Sequence, residues 1–201
     1  IVVIINIFVP ICNFPVFCIF IVSNAKFLFA AITNLFVALN KIDFADWTKF
    51  QISNIIFARF NQLHFFFANI AILMNITPDH LDRYENKMQN YVDSKFRIIQ
   101  NQTEKDAFIF WNGDPIIQKE LHKYGIHGQY YPFAENKTDK EVAYLADNKV
   151  HFTEPISFNM EQEELALTGK HNLFNSMAAG ISANIAGIRK ECIREALSNF
   201  E

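Results

Sequence analysis

Residues 68–111 read ANIAILMNITPDHLDRYENKMQNYVDSKFRIIQNQTEKDAFIFW, and this stretch decides the fold. The apolar run at 68–74 predicts a buried strand, and residues 106–111 predict a second strand. Between them, apolar residues recur at helical spacing over 84–100, which predicts an amphipathic helix. A strand, a helix and another strand in this order indicate a parallel β-sheet covered by helices.

The alternation of strands and helices continues beyond residue 111. The sequence Asn-Gly-Asp-Pro at 112–115 predicts a turn into a helix near 116–124, and residues 129–133 predict a third strand. Short strands are predicted within 141–167, at 142–145, 150–152 and 156–158. Two further helices are predicted, over 172–186 and 190–200. We therefore expect an α/β fold, with a mainly parallel sheet flanked by helices and a few short antiparallel strands near 141–167.

The composition suits one globular domain, with 201 residues and a hydrophobic content of 51%. Eighteen Lys+Arg against 21 Asp+Glu give a net charge of −3, without the basic surplus that nucleic-acid binding requires. The three cysteines, Cys12, Cys18 and Cys192, form no CxxC pair, so the sequence supports neither a disulfide framework nor a zinc site. We expect a cytoplasmic monomer that binds no nucleic acid.

Residues 1–67 differ in composition from the rest of the chain, because they hold most of its Phe residues and no Gly or Glu. Residues 1–22 are apolar enough to suggest a membrane span or a signal peptide. Pro10 and Pro15 interrupt this run, and no basic residue precedes Lys26, which disfavours both alternatives. We therefore expect no membrane association.

Lys95 is the most informative residue of the helix predicted over 84–100. At about 100° per residue, it falls inside the apolar stripe formed by Met88, Val92 and Ile99. Burial of an ammonium group is costly, so we expect Lys95 to be paired, neutral or chemically modified. The alternative is a lysine whose stem covers apolar surface while its ammonium group reaches solvent.

His80 follows the strand predicted over 68–74, within the segment 75–82 (NITPDHLD). Thr77 and Pro78 are typical of a helix start, which places His80 at the carboxyl end of a parallel strand. Open α/β sheets bind ligands at that edge, and a neutral imidazole is a common metal ligand. His80 is therefore a candidate metal ligand; the alternative is a histidine with a structural role.

Asn172 and Asn175 stand three residues apart at the start of the helix predicted over 172–186, hence on one side of its first turn. Two side-chain amides can together offer donors and acceptors, as the edge of a purine requires. Capping of the helix is the alternative for Asn172, but it does not account for Asn175.

Four motifs that recur in order resemble the central ATP-binding domain of the Mur ligase family. They are residues 75–84 (NITPDHLDRY), Lys95, residues 112–114 (NGD) and residues 167–179 (LTGKHNLFNSMAA). The resemblance covers about residues 68–201 and is greatest to the branch that adds D-glutamate. It implies a P-loop-NTPase-like sheet, with His80 bound to magnesium and a carbamylated Lys95 whose carbamate helps to hold the same ion. It also implies that Asn172 and Asn175 lie beside the adenine of ATP.

The activity that this resemblance implies is ATP-dependent amide-bond formation in peptidoglycan precursor synthesis, with ATP and Mg²⁺ as cofactors. The γ-phosphate would pass to the carboxylate of UDP-N-acetylmuramoyl-L-alanine, and the amine of D-glutamate would displace phosphate from the acyl phosphate. Two alternatives remain open. One is a member of the family that adds L-alanine, and the other is a non-catalytic relic, associated with a membrane through its apolar N-terminus.

The sequence departs from the family within residues 1–67. The glycine-rich phosphate loop is expected near 9–15, after an apparent strand over 1–8, but the sequence there is VPICNFP and lacks glycine. Asn13 or a neighbour stands where the phosphate-binding lysine is expected, and Asn54 where the family has a magnesium-binding glutamate. We expect a partial central domain over 1–201 in which 1–67 is degenerate or misread. We also expect the domains for the UDP-linked substrate and the amino acid to be absent, leaving the isolated chain inactive.

Overall fold

The computed structural model describes residues 2–8, 16–22, 68–78, 81–125 and 127–199. Within these residues the strands form one eight-stranded sheet in the order β2-β1-β3-β4-β5-β6-β7-β8. The strands are β1 (Val2–Phe8), β2 (Val16–Val22), β3 (Ile70–Leu73), β4 (Ala107–Trp111), β5 (Gln129–Phe133), β6 (Ala143–Ala146), β7 (Lys149–Phe152) and β8 (Phe158–Glu161). The α-helices are α1 (Met88–Phe96), α2 (Pro115–Glu120), α3 (Lys170–Ile185) and α4 (Lys190–Ser198).

The centre of the sheet is parallel and its two sides are antiparallel. Strands β3, β4, β5 and β6 run in one direction. Strands β6, β7 and β8 form the antiparallel part predicted within 141–167, so the α/β prediction is confirmed. On the other side, β1 pairs antiparallel with both β2 and β3. The carboxyl end of β1 therefore lies at the edge of the sheet opposite to the carboxyl ends of β3, β4 and β5. This antiparallel pair was not predicted.

Strand β3 separates two hydrophobic cores, because successive side chains of a strand point to opposite faces of the sheet. Ile70 and Ile72 lie in the core that includes residues of α3 and α4. Ala71 and Leu73 lie in the core that includes residues of α1 and α2. Helices therefore cover both faces of the parallel strands, and the apolar run of β3 is buried on both sides.

The helix predicted over 84–100 is shorter than expected. Glu85 and Asn86 adopt left-handed backbone conformations, with φ angles of 57° and 54°, and such residues cannot continue a right-handed helix. A 3-10 helix, Leu81–Tyr84, precedes them, and α1 begins only at Met88. A second 3-10 helix, Arg97–Ile99, follows α1. Residues 74–78 are not helical, so the helix start predicted at Thr77 and Pro78 is wrong.

Two other predicted boundaries move for identifiable reasons. The strand predicted at 156–158 is β8, two residues later, because Phe158 and Met160 alternate as its buried residues. Helix α3 begins at Lys170 after Gly169, whose φ of 94° suits glycine, so capping by Asn172 is wrong. The helix predicted over 190–200 is α4, which buries Ile193 and Leu197.

The apolar N-terminus gives no sign of a transmembrane helix in the part of the chain that is described. Residues 2–8 and 16–22 form strands, and no described helix has the length and hydrophobicity needed to cross a membrane.

Candidate functional site

The loops that follow β3, β4 and β5 lie at one edge of the sheet, because these strands are parallel. They comprise residues 74–78, 112–114 and 134–142. Open α/β sheets bind their ligands at this carboxyl edge. We refer to the three loops together as the carboxyl-edge loops.

Asp114 joins the first two carboxyl-edge loops. Its side chain is buried, with 3% of the residue exposed, and it caps α2 by accepting hydrogen bonds from the backbone N–H groups of Ile116 (2.8 Å) and Ile117 (3.0 Å). Its second oxygen, Oδ2, accepts a hydrogen bond of 2.9 Å from the backbone N–H of Ile76. Pro115 occupies the start of α2, where a missing N–H has no cost.

Glu141 joins the second and third loops. Its Oε1 accepts a 2.6 Å hydrogen bond from Nδ2 of Asn112, whose Oδ1 in turn accepts one from Nε2 of Gln118. The backbone N–H and the hydroxyl of Thr138 also donate to the Glu141 carboxylate, each at 2.7 Å. Burial acts to raise the pKa of this carboxyl, but the hydrogen bonds from Thr138 and Asn112 outweigh it and hold the pKa below its ordinary value.

Lys95 is buried in α1, with 4% of the residue exposed. Its Nζ lies 4.9 Å from the centroid of the Tyr91 ring, one helical turn earlier, where a cation is attracted to the ring. The burial expected from the helical spacing is confirmed, and the alternative in which the ammonium group reaches solvent is wrong. The proposed carbamate and metal-binding roles remain predictions.

The first turn of α3 also lies at the carboxyl edge. The Phe174 ring packs against Trp111, the last residue of β4, with ring centroids 5.0 Å apart. Lys170 forms an ion pair with Glu135 in the loop after β5. This turn carries the predicted adenine-binding residues Asn172 and Asn175, both of which are partly buried.

A cavity of about 170 Å³ lies beside this turn and is lined in part by Leu165, Leu167, Thr168 and Leu173. The lining is mainly apolar, which suits the faces of a flat aromatic base. Nδ2 of Asn172 donates a 2.8 Å hydrogen bond to the backbone carbonyl of Thr168, one of the lining residues, whereas Asn172 and Asn175 are not themselves part of the lining.

The structure does not bring all the predicted site residues together. Asn172 and Asn175 belong to α3, whereas Lys95 belongs to α1 in the layer on the other face of the sheet. His80 lies outside the described residues, as do residues 9–15, Asn13 and Asn54. In the described part of the chain, no three His, Cys, Asp or Glu side chains gather into a metal site.

Sequence reasoning missed Glu141 and Glu135, the residues that connect the third loop to Asn112 and Lys170. These pairs are 29 and 35 residues apart in the chain, and no local periodicity relates them. One feature of the sequence could have indicated them: Glu135 and Glu141 follow the strand predicted over 129–133, and parallel sheets bind ligands with the loops after their strands.

The family model described as "Mur ligase middle domain" matches residues 51–183. UDP-N-acetylmuramoylalanine–D-glutamate ligase from Bacteroides thetaiotaomicron is 66% identical over 156 residues, which are 78% of this chain and 33% of the relative. The enzyme of that name from Bacteroides fragilis is 58% identical over 167 residues, 82% of this chain and 36% of the relative. The chain thus spans about a third of the length of these curated relatives.

Solved structures of ligases share the fold. The structure of UDP-N-acetylmuramoyl-L-alanyl-D-glutamate–2,6-diaminopimelate ligase has a TM-score of 0.52 and 20% identity, over 66% of this chain and 28% of the other. A murein peptide ligase from Psychrobacter arcticus 273-4 also has a TM-score of 0.52, at 17% identity, over 67% of this chain and 28% of the other. With the family model matching most of the sequence, and with the parallel strands and α3 placed as described, the chain belongs to the Mur ligase family and carries its middle domain.

Proposed function

We propose that the protein joins D-glutamate to UDP-N-acetylmuramoyl-L-alanine in an ATP-dependent reaction. The observation that carries the proposal is the 66% identity, over 78% of this chain, to a relative named for that reaction. The L-alanine-adding alternative is less well supported, because the relative from Bacteroides fragilis carries the D-glutamate name as well.

The proposed adenine position is beside the first turn of α3, where Asn172 and Asn175 lie. Asn172 and Asn175 offer amide groups to the edge of the base, where one side chain can donate and the other accept. Because Asn172 is held by Thr168 and α3 is held by Phe174 against Trp111, these groups are positioned before nucleotide binds.

The proposed magnesium site combines His80 with a carbamate on Lys95. The donor chemistry fits, because a carbamate supplies the anionic oxygen that Mg²⁺ prefers and converts a buried cation into an anion. The burial of Lys95 in α1 also fits a carbamate, since only 4% of the residue is exposed to solvent. When bound, the ion would neutralise negative charge on the phosphate oxygens.

The proposed reaction has two steps. The carboxylate of the alanyl group attacks the γ-phosphorus of ATP, which gives an acyl phosphate and ADP. The amine of D-glutamate then attacks the acyl carbon, the carbon–nitrogen bond forms, phosphate leaves with the carbon–oxygen bonding pair, and the amine loses a proton. In this scheme the middle domain contributes position and charge, through Asn172 and Asn175 at the base and Lys95 near the phosphates.

Because this chain spans about a third of the length of its curated relatives, the test is an assay of the full-length protein with ATP, Mg²⁺, UDP-N-acetylmuramoyl-L-alanine and labelled D-glutamate. We expect a labelled amide product and one phosphate released for each amide formed, and no product with L-glutamate. A product from UDP-N-acetylmuramate and L-alanine would instead identify the other branch of the family. Nucleotide binding without either product would support the non-catalytic alternative.

We further propose that the protein acts as a monomer in the cytoplasm, where ATP is available. Fractionation of cells should recover it with the soluble proteins, and sedimentation should give the mass of one chain. Recovery with the membranes would contradict this location.

A further inference from the structure

The loop after β3 departs from the alternating burial of the strand once its pairing with β4 has ended. Met74 is buried in the same core as Ile70 and Ile72, as alternation requires. Ile76, two residues later, is instead buried in the other core, and 2% of it is exposed. The ladder between β3 and β4 stops at Leu73, because the neighbouring chain turns away at 112–114. The backbone N–H of Ile76 therefore needs another acceptor.

The carboxylate of Asp114 supplies that acceptor. Oδ2 accepts from Ile76, while Oδ1 accepts from the two N–H groups at the start of α2. Ile76 and Asp114 are 38 residues apart in the chain. The Asp114 side chain thus gives the backbone of the loop a long-range hydrogen bond, as the pairing with β4 does for the backbone of β3. Ile76 stands four residues before His80 in the sequence.

We propose that Asp114 is a positioning residue for the metal-binding segment: by holding Ile76, it fixes the loop 74–78 that leads to His80. Asp114 contacts neither metal nor substrate in this scheme and acts through the backbone of Ile76. The part that concerns magnesium rests on the proposed function, whereas the effect on the loop does not.

The variant that isolates this role is Asp114→Asn. Asparagine caps helices about as well as aspartate, so α2 should keep its capping hydrogen bonds. Its second polar atom is an NH₂ group, which would meet the N–H of Ile76 donor to donor. Asp114→Ser is a second variant, because serine also caps helices but lacks a second oxygen for Ile76.

The matched control is Asp106→Asn. Asp106 precedes β4, whereas Asp114 follows it, and it is similarly buried, with 7% of the residue exposed. It accepts hydrogen bonds from Asn69 (3.0 Å) and from the backbone N–H of Thr103 (2.6 Å). The control therefore makes the same change of carboxylate to amide near the other end of β4.

The first readout is hydrogen exchange in the purified protein, without nucleotide or metal. We expect exchange in 74–78 to become at least about tenfold faster in Asp114→Asn and Asp114→Ser, which corresponds to one factor of ten in the local opening equilibrium. Exchange in α2 should be unchanged in both, and exchange in 74–78 should be unchanged in Asp106→Asn. Unchanged exchange in 74–78 of both Asp114 variants, or an equal increase in the control, would overturn the proposal.

The second readout is the Mg²⁺ concentration that half-saturates the thermal stabilisation by a non-hydrolysable ATP analogue. We expect it to rise several-fold in the Asp114 variants and to stay unchanged in Asp106→Asn. An unchanged Mg²⁺ requirement alongside faster loop exchange would overturn the link to the metal. Absence of ligase activity in the full-length wild-type protein would overturn the proposed function alone, because loop exchange is measured without catalysis.

Discussion

Nδ2 of Asn112 lies 2.6 Å from Oε1 of Glu141, so one hydrogen bond ties the end of β4 to the residues that lead into β6. The Asn112 side chain is held from the other side by Gln118 of α2. The amide plane is therefore fixed by two partners from different parts of the chain, and the carboxyl-edge loops form a connected set.

Replacement of Glu141 by Gln is expected to destabilise the protein at neutral pH. The change removes a buried charge-assisted acceptor that serves both Asn112 and Thr138, and we expect a loss of about 1–3 kcal/mol in the free energy of unfolding. The measurement is urea denaturation at pH 7. Glu163→Gln, at an exposed position, is the control and should change the free energy of unfolding little.

The cost of Glu141→Gln should also depend on pH. The folded protein lowers the pKa of Glu141 from its ordinary value of 4.5, so the contribution of this carboxylate is present above that value. It is lost as the pH falls through the folded pKa. The difference between wild type and variant should therefore shrink as the pH is lowered below 4.5, and a constant difference would contradict the assignment.

Lys95→Met is expected to lower the ligase activity of the full-length protein strongly while leaving the fold intact. Methionine fills similar volume, so the variant should still unfold in one cooperative urea transition. Ligase activity should fall by about 10²-fold or more, because the proposed carbamate contributes charge to the metal site. Lys105→Met, at an exposed position, should retain activity.

The carbamate itself can be observed directly. Carbamylation adds about 44 Da to the amine and reverses readily, so ¹³C NMR after labelling with bicarbonate under native conditions is the appropriate measurement. We expect a carbamate signal that is absent from Lys95→Met. Full activity in buffer depleted of carbon dioxide, together with no such signal, would rule out the modification.

Alanine substitution of Asn172 and Asn175 is expected to weaken nucleotide binding. Loss of one hydrogen bond to the base should reduce ADP affinity about fivefold at each position, as measured by calorimetry. Asn159→Ala, at an exposed position in β8, is the control. Wild-type affinity in the Asn172→Ala Asn175→Ala double variant would remove both residues from the adenine site.

Gly180→Ala is expected to destabilise the protein, although alanine favours helices by about 1 kcal/mol. A Cβ atom at this position of α3 would lie 2.5 Å from the Phe152 ring of β7, so the helix or the ring would have to move. We expect overpacking to outweigh propensity, with a net loss of about 1–2 kcal/mol in thermal or urea unfolding. Phe152→Leu combined with Gly180→Ala should cost less than the sum of the two single changes, and strict additivity would count against the contact.

The parts of the fold that could be predicted are those encoded locally. The apolar run of β3 and the alternation of strand and helix through β5 are short-range patterns, and both are present. The late start of α1 was not predicted, because glutamate rarely adopts the left-handed conformation that Glu85 has here. The place of β8 was obscured by Ile156, an apolar residue that is 47% exposed.

In the candidate site, too, the features encoded locally could be predicted and the long-range contacts could not. The burial of Lys95 follows from helical periodicity alone, and the structure agrees. The pairing of Ile76 with Asp114 does not follow from any local pattern, because it depends on which strands become neighbours in the sheet. The sequence motifs therefore identified residues of the edge but not the hydrogen bonds that arrange them.

Eleven residues of α3, from Leu173 to Asn184, are buried. A helix packed in this way, with Gly180 against Phe152, can neither slide along its axis nor rotate without disturbing the core. The side chains of its first turn therefore form a template whose spacing is established when the protein folds. The exposed residues just before it, among them Thr168 and Gly169, are where adjustment to a bound base can occur, so mutations that alter nucleotide preference should be tolerated in that segment and not in the helix.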